Sequence, residues 1–335
     1  MSSLVEVARA AGVSVSTASR VLNGSSHPIS AKTRAKVIAV AEQLGYSPSA
    51  LARALVSRSS RLIGVLVSDI VNPYFSVIAR GVDDVASRAG YVTMLSNVDR
   101  RTTTEINRLQ TMRDYRAAGV VFAGSGHVDD PHAPELAKVV GQAREQGVQI
   151  MSLTMRDLGC PVVTADSKAA AYAVTDHLLS LGHRRIAFID GPSGMIASRE
   201  RRNGFLACMD DAGLATSASC HLGGFDFEAG HTAAMRMLAH PRLPDAILAA
   251  NDEAAVGALN ALRQAGIDVP GQVSVAGMDD LRVAQFVGLT TVSLPLYEMG
   301  AMAARHIIDA SPDTETAPLT VLSHRLIPRE TTGPR

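Results

Sequence analysis

The chain has 335 residues, of which 47% are hydrophobic and 19% charged, and its formal net charge at neutral pH is zero. This composition supplies enough apolar side chains for packed cores and excludes an intrinsically disordered chain. Because 335 residues exceed one ordinary core, we expect two or three domains.

The charge is distributed unevenly along the chain. The first 60 residues hold seven Lys or Arg against Glu6 and Glu42, a net charge of +5, so the remainder carries −5. A small basic segment on a mildly acidic body favours a polyanionic partner, although a solvated charged face would give the same count.

Cysteines and hydropathy indicate the compartment. Cys160, Cys208 and Cys220 show neither pairing nor metal-ligand spacing, so we expect no disulfide and no metal site. The sequence starts without a basic and apolar leader and has no apolar run of membrane-spanning length. These features predict a cytoplasmic protein without a membrane association, and no motif indicates a cofactor.

The first three predicted elements are helices. Apolar residues at helical spacing predict a helix over 4–11, which ends at Gly12. Ser14 is a natural N-cap for a second helix over 15–22, and a third, capped by Ser30, covers 30–45. In the second helix one side carries Val15, Ala18 and Leu22, and the other carries Ser16, Thr17, Ser19 and Arg20. The third is expected to bury Val37, Ile38, Ala41 and Leu44. Two helices around a glycine turn, the second with small polar residues, are typical of a helix-turn-helix.

Two stretches carry a family resemblance. "VARAAGVSVSTASRVLNG" and "AKTRAKVIAVAEQLGYSPSALARAL" resemble the DNA-binding head of lactose-repressor-family (LacI/GalR-type) transcription factors. The resemblance implies that Val15, Ser16 and Arg20 read bases of double-stranded operator DNA. Val15 suits contact with a thymine methyl group, Ser16 can hydrogen-bond either base type, and Arg20 can donate two hydrogen bonds to guanine. The alternative for Val15 is packing inside the head. Phosphate contacts are implied for Ser3, Ser14, Thr17, Asn23, His27 and Thr33.

Residues 47–58 are predicted to connect the head, residues 1–46, to the body, residues 59–335. Pro48 suits a first helical turn, but the alanine-rich segment that follows is too short to be stable as an isolated helix. The resemblance implies a hinge helix that orders on DNA, with Leu55 inserted between base pairs and flanked by Ala52 and Arg53. The alternative is a plain linker.

From residue 62 onward, apolar strands alternate with amphipathic helices. Strands are predicted at 62–68, 91–96, 119–123, 148–153, 185–190, 245–250 and 272–277. Such alternation predicts an α/β fold with parallel sheets covered by helices on both faces. "RLIGVLVSD" is echoed by "HRRIAFIDG", which indicates two similar lobes.

Ligands of such folds bind beyond the carboxyl ends of strands, and several of these ends carry polar or aromatic residues. The body resembles the family's periplasmic-binding-protein-like effector domain, especially in "SLGHRRIAFIDG" and "PDAILAANDEAAVGAL". The resemblance implies one lobe of 59–161 and 292–320, and another of 162–291 and 321–335. The candidate effector-binding residues are Asp69, Asn72, Tyr74, Phe75, Arg201, Phe225, Asn251 and Asp279. The alternative for Phe75 is packing in the ordinary core. Asp252 and Asp280 also follow strands, and for them a role as cap or lobe contact is as well supported as ligand binding.

Carboxylate, amide, guanidinium and aromatic groups suit a polyol, so the expected effector is a sugar or sugar derivative. Met195 and Ala197 stand where the purine repressor has polar base-reading residues, which argues against a purine effector. Thr154 and Leu294 replace an acid and a glutamine that many sugar-binding members use. A non-sugar metabolite is the alternative ligand. Enzyme motifs are missing, so a sugar-modifying enzyme is the weaker rival, as is a free-standing transport binding protein. We expect a regulator, acting as a repressor, that is a homodimer and whose lobes close on effector.

Overall fold

The computed structural model describes residues 3–22, 27–46, 60–310 and 319–335. The chain divides into two compact units. One comprises residues 1–61 with 115–117 and includes the head. The other comprises residues 62–114 with 118–335 and makes up most of the body.

The described residues of the head contain three short helices: α1 (Leu4–Ala11), α2 (Val15–Leu22) and α3 (Ala31–Gln43). Gly12 ends α1 with φ of 64°, a left-handed conformation that glycine adopts without a Cβ clash. The side chains of Ser14 and Ser30 accept the N–H groups of Thr17 and Thr33, so both predicted N-caps are confirmed.

The core of the head is small. It consists of Val7, Ala8, Ala11, Ala18, Val21, Val37 and Ala41. Two residues predicted to face inward from α3 do not: Ile38 is 42% exposed and Leu44 is 37% exposed. Because α3 packs on two helices of only eight residues, it buries a narrow stripe at i, i+4 spacing, Val37 and Ala41, and leaves the neighbouring positions outside.

The body contains a six-stranded parallel sheet, which belongs to the first lobe. Its order is β11-β5-β4-β3-β1-β2. The strands are β1 (Leu62–Val67), β2 (Val92–Asn97), β3 (Gly119–Phe122), β4 (Gln149–Ser152), β5 (Val162–Ala165) and β11 (Leu319–Leu322). Every residue of β1 after Leu62 is buried, as expected for a strand covered on both faces.

The second lobe has a four-stranded parallel sheet of order β7-β6-β8-β9. Its strands are β6 (Ile186–Ile189), β7 (Ser219–His221), β8 (Ala246–Ala249) and β9 (Ser274–Ala276), and an antiparallel pair is formed by β10 (Thr291–Ser293) and β12 (Arg325–Ile327). All seven predicted strands are confirmed, since they correspond to β1, β2, β3, β4, β6, β8 and β9.

Helices separate the strands of the body. In the first lobe they are α4 (Pro73–Arg88), α5 (Thr102–Asp114), α6 (Ala133–Glu145) and, after the second lobe, α12 (Leu296–Ile308). In the second lobe they are α7 (Ser167–Ser180), α8 (Ile196–Asp211), α9 (Phe227–Leu238), α10 (Asp252–Gln264) and α11 (Arg282–Val287), with a 3-10 turn over Ala215–Ser217. α4 and α12 pack so closely that a Cβ at Gly81 would collide with the carbonyl oxygen of Tyr297.

Five strands were not predicted: β5, β7, β10, β11 and β12. Each has only three or four residues and includes at least one polar residue, so none shows the continuous apolar run of β3, β6 and β8. The expected lobe boundary at 161/162 differs from the sheet membership, since β5 (Val162–Ala165) pairs with β4 and β11 in the first lobe. Similarly, β11 (Leu319–Leu322) extends past the expected boundary at 320/321 within that sheet.

Candidate functional site

The outward face of α2 is the candidate DNA-reading surface. Val15 is 43% exposed, which places it outside the core and disagrees with its alternative as a packing residue. Ser16 and Arg20 are exposed as well, whereas Ala18 and Val21 fill the core of the head. The three residues implied to read bases therefore all present side chains to solvent, and Arg20 has the forked geometry that pairs with guanine.

Several residues implied to contact phosphate also begin helices. Ser3 forms a capping box with Glu6: the Ser3 side chain accepts the Glu6 N–H at 3.3 Å, and the Ser3 N–H donates to the Glu6 carboxylate at 2.7 Å. The second bond lowers the pKa of Glu6. The Ser14 hydroxyl lies 2.8 Å from that of Thr17, and the Ser30 hydroxyl lies 2.8 Å from that of Thr33. Helix N-termini with free hydroxyl capacity suit phosphate oxygens.

His27 is exposed, in keeping with its predicted place near DNA. The other DNA-binding residues named from the sequence are Asn23, Ala52, Arg53 and Leu55. These four, and the hinge segment 47–58, lie outside the described residues, so their roles stay predictions.

In the body, a cleft lies between the carboxyl ends of strands of the two lobes. Its empty volume, counted together with the space open to solvent, is about 660 Å³. Seven of the eight predicted effector-binding residues line it: Asn72, Tyr74, Phe75, Arg201, Phe225, Asn251 and Asp279. Three of them, Phe225, Asn251 and Asp279, follow three different strands of the second lobe. The parallel sheet thus brings together residues that are distant in sequence.

An ion pair lies at the floor of the cleft. Arg201 Nη2 donates to Asp279 Oδ1 at 2.8 Å, and the two side chains are only 4% and 2% exposed. Arg201 Nη1 donates to the Ala250 carbonyl oxygen, and the guanidinium carbon lies 5.6 Å from the centre of the Phe225 ring. Arg201 Nε is buried without a hydrogen-bond partner.

Burial dominates the electrostatics of this pair. It raises the pKa of Asp279 to about 6, against the opposing effect of the Arg201 guanidinium. The pKa of Tyr74 is raised to about 12, mainly by burial and then by the nearby Asp279 charge, so its phenol remains protonated. The pKa of Arg201 is raised, because the effects of Asp279 and Tyr74 exceed the opposing effect of its burial. The site therefore offers a cationic donor, a carboxylate and a neutral hydroxyl.

Asn72 and Asn251 are largely committed to the protein itself. Their side-chain oxygens cap α4 and α10 by accepting the N–H groups of Tyr74 at 2.9 Å and Ala254 at 3.1 Å. Their side-chain nitrogens both donate to the Phe225 carbonyl oxygen, at 3.5 Å and 3.0 Å. These bonds fix the Phe225 loop, and each amide keeps one further N–H for a ligand.

Asp69 is the one predicted effector-binding residue that does not line the cleft. Its carboxylate accepts the Val71 N–H at 3.1 Å and pairs with Arg100 at 3.3 Å. Its position in the loop after β1 places it beside the cleft, and these contacts hold that loop. Arg100, rather than Asp69, reaches the lining.

Asp252 and Asp280 adopt their alternative roles. The Asp252 carboxylate accepts the Thr291 hydroxyl at 2.6 Å and the Leu281 N–H at 2.7 Å, which ties α10 to the segment after β9. Burial raises its pKa well above the ordinary value, and Asp279 adds to this. Asp280 pairs with Arg329 at 2.6 Å. Phe75 combines both roles, since it lines the cleft and is only 8% exposed.

Other lining residues were not identified as candidates from the sequence: Ser68, Arg100, Ser125, Leu153, Thr164 and Met299. Ser68 and Leu153 follow a strand directly and Ser125 lies three residues after β3, so inspection of every strand end would have found these three. Thr164 lies in β5, which was not predicted, and Met299 lies in α12, which returns to the first lobe from the second.

The two lobes touch at the mouth of the cleft. The Val128 N–H donates to the Gly194 carbonyl oxygen at 2.7 Å, and the Ile196 N–H donates to the Gly126 carbonyl oxygen at 3.2 Å. These bonds join a loop of the first lobe to a loop of the second. The two lobes are therefore hydrogen-bonded to each other through these loops.

Metal-binding clusters and membrane-spanning helices also bear on the class of site. Over the described ranges, no three His, Cys, Asp or Glu side chains are arranged to hold a metal ion. Within the same ranges, no helix has the length and apolarity needed to cross a membrane.

A helix-turn-helix head joined to a two-lobe α/β body defines a ligand-responsive DNA-binding regulator. Residues 3–49 match the family described as bacterial regulatory proteins, lacI family. Residues 60–330 match periplasmic binding proteins and sugar binding domain of LacI family. The chain belongs to the LacI family of bacterial regulatory proteins.

Known proteins of similar sequence and structure support this assignment. Catabolite control protein A of Priestia megaterium is 32% identical over 339 residues, which cover 98% of each chain. A lac repressor dimer bound to operator and the anti-inducer ONPF has a TM-score of 0.86 at 27% identity, with 99% of each chain covered. A LacI family transcriptional regulator from Enterococcus faecium, with bound ribose, has a TM-score of 0.71 at 26% identity and covers 82% of this chain and 99% of its own.

Proposed function

We propose that this protein is a transcriptional repressor whose affinity for operator DNA is controlled by a small sugar bound between the lobes of the body. The observation that carries the effector part is the buried Arg201–Asp279 pair opening onto the cleft. A fork of donors beside a carboxylate matches the paired hydroxyl groups of a sugar, and Phe225 offers an apolar face for the ring. The ribose bound to the Enterococcus faecium protein supports the same class of ligand.

In the head, the exposed Val15, Ser16 and Arg20 are proposed to read base edges in the major groove. Selection of binding sites from random double-stranded DNA with the full-length protein tests this. We expect enrichment of one two-fold symmetric sequence, because a dimer presents two α2 helices to two half-sites. Binding without sequence preference would contradict the proposed function.

Residues 47–58 are proposed to supply a second DNA contact through the minor groove. The proposal rests on the sequence alone, and Leu55 is the residue that would insert between base pairs. The Leu55→Ala variant is expected to bind the selected operator more weakly and to bend it less, as seen in a gel-phasing assay. An unchanged bend angle would contradict the role of Leu55.

We propose that the functional unit is a homodimer. The edge strand β2 and the residue after edge strand β7 expose large apolar side chains, with Val92 66% and Leu222 75% exposed. Exposed apolar side chains next to sheet edges are typical of surfaces that another chain covers. Sedimentation equilibrium should give twice the chain mass of 35.2 kDa, and a monomer at micromolar concentration would contradict the proposal.

The effector part is tested by a thermal-shift screen against neutral sugars, since a ligand of the folded protein raises the melting temperature by mass action. The sugars that bind are then added to the protein–operator complex, whose dissociation constant should change.

We further propose that the protein acts in the cytoplasm and is not an enzyme, because its relatives are regulators. NMR of the sugar after prolonged incubation should show no turnover.

A further inference from the structure

The unused hydrogen-bonding capacity of the cleft is concentrated around Asp279. Asp279 Oδ1 accepts from Arg201, whereas Oδ2 makes no hydrogen bond with the described residues. The Tyr74 hydroxyl likewise makes none with them, and the two groups are close enough for the Asp279 charge to raise the pKa of Tyr74. The Tyr74 hydroxyl and Asp279 Oδ2 therefore offer a donor and an acceptor that hydroxyl groups of a ligand in the cleft would satisfy.

Next to these two groups stands an apolar wall, defined here as Leu153, Ala165, Leu294 and Met299. All four line the cleft and are buried in the same core, with exposures of 2% to 7%. Leu153 follows β4 and Ala165 ends β5. α12, which carries Met299, packs on both of these strands. The wall is therefore continuous at one end of the six-stranded sheet.

The wall begins beside Asp279. A parallel bridge joins Asp279 to Ser293, and the Leu294 N–H lies 3.5 Å from the Asp279 carbonyl oxygen. A sugar ring that donates a hydroxyl hydrogen bond to Asp279 consequently places a neighbouring ring substituent against Leu294.

Two lining threonines near the wall have their hydroxyl protons committed to the protein, so they can offer a ligand only an acceptor oxygen. Thr154 Oγ1 donates to the Gly124 carbonyl oxygen at 2.8 Å, and Thr164 Oγ1 donates to the Ala165 carbonyl oxygen at 3.3 Å. Ser167, at the start of α7, keeps its hydroxyl available at the edge of the wall. Charge is balanced too, since the two lining arginines, Arg100 and Arg201, each pair with an aspartate. A phosphate or carboxylate on the ligand would meet no unpaired cation among these lining residues.

We infer that the effector is a neutral deoxy sugar, which places a methyl or methylene group against Leu294 and the rest of the wall. The inference rests on the proposed function, because it assumes a sugar in this cleft. A hydroxyl group directed at these four apolar side chains would lose its hydration without gaining a hydrogen bond from any of them. Such a loss is expected to weaken binding by about tenfold or more.

The experiment compares deoxy sugars with their hydroxylated parents on the full-length protein. Isothermal titration measures the dissociation constants of L-rhamnose and L-mannose, L-fucose and L-galactose, D-fucose and D-galactose, and 2-deoxyribose and ribose. In at least one pair the deoxy member is expected to bind about tenfold tighter than its parent. A parent that binds equally well or better in every pair overturns the inference and leaves the sugar-controlled repressor intact. If no sugar of any pair binds, the sugar part of the proposed function fails together with it.

Leu294 provides a second test. Leu294→Gln places an amide at the wall and is expected to reverse the preference within the pair, whereas Leu294→Met keeps an apolar side chain and should preserve it. Leu206→Gln makes the same chemical change on α8, where Leu206 is 39% exposed, and serves as the matched control. A folded Leu294→Gln variant with the wild-type preference would overturn the inference. If that variant does not fold, the sugar pairs on the wild-type protein decide.

Discussion

In the head, the side chains implied to read DNA stand outside a core of seven residues, whereas in the body most side chains that line the cleft are themselves buried. Arg20 is exposed on α2, but Arg201 is 4% exposed and bound to both Asp279 and the Ala250 carbonyl oxygen. Both arginines are proposed to recognise a ligand. Only the second also helps to hold the protein together.

This difference predicts how far function and stability separate. An exposed side chain is ordered by its ligand, so its removal leaves the free protein nearly unchanged. A buried charged side chain has already lost its hydration, so removal of its partner leaves an uncompensated charge. Substitutions of the exposed base-reading side chains in the head should therefore affect binding alone, and substitutions in the cleft should affect binding and stability together.

The largest effect is expected for Asp279→Ala. This change leaves the Arg201 guanidinium buried without its carboxylate, which should lower the free energy of unfolding by about 3–5 kcal/mol. Urea denaturation measures this loss, and the thermal shift caused by the sugar should disappear. The double variant Arg201→Met with Asp279→Leu is the control, because it removes both charges and should recover stability without recovering sugar binding. Equal stability of Asp279→Ala and wild type would break the comparison.

The corresponding change in the head is Arg20→Ala. It should weaken binding to the selected operator by about 1–3 kcal/mol and relax the preference at one base position in each half-site. Its melting temperature should equal that of the wild type, because Arg20 is outside the core of the head. Fluorescence anisotropy on the operator and on random DNA measures the two affinities. An equal loss on both DNAs would show that Arg20 contacts phosphate only.

The pH dependence of sugar binding sharpens the view of the cleft. Burial raises the pKa of Asp279 to about 6, and a sugar hydroxyl that donates to this group binds its ionised form. Affinity should therefore fall below pH 6, by about tenfold at pH 5. Asp279→Asn should remove this dependence.

The stability of the sugar-free protein depends on pH in the opposite direction. Between pH 3.8 and about 6 the folded protein keeps the Asp279 proton that the unfolded chain releases, so the contribution of Asp279 to the free energy of unfolding declines as pH rises. The neighbouring groups Arg201, Tyr74 and Asp252 do not reverse this pH dependence of the stability contributed by Asp279.

The smallest effect concerns Ser3, which both caps α1 and is implied to contact phosphate. Ser3→Ala removes the cap and should destabilise the head by about 1 kcal/mol. Ser3→Asp retains a capping oxygen but adds a negative charge, so it should keep the stability and weaken operator binding. Thermal unfolding and anisotropy separate the two roles. If Ser3→Asp binds DNA as tightly as the wild type, Ser3 is a cap without a phosphate contact.

The sequence by itself determined the helices of the head, with Ser14 and Ser30 as caps and Gly12 as a turn. It also determined the seven strands β1, β2, β3, β4, β6, β8 and β9 and the exposure of Arg20. These features depend on periodicity and local chemistry within a dozen residues, which are readable from the order of the amino acids. Seven of the eight candidate residues in the cleft followed from the rule that ligands bind beyond strand ends, together with the family resemblance.

Only the tertiary structure decided which of these residues are partners. It excluded Asp69 from the cleft, assigned Asp252 to Thr291 and Leu281, and placed β5 and β11 in the sheet of the first lobe. It also joined Leu153, Leu294 and Met299 into one wall, although they come from β4 and from the segment that returns after the second lobe. The Asp252 contacts span 29 and 39 positions, and the pairing of β5 with β11 spans more than a hundred. They depend on how sheets and helices pack around a shared core, and no local pattern in the sequence records that packing.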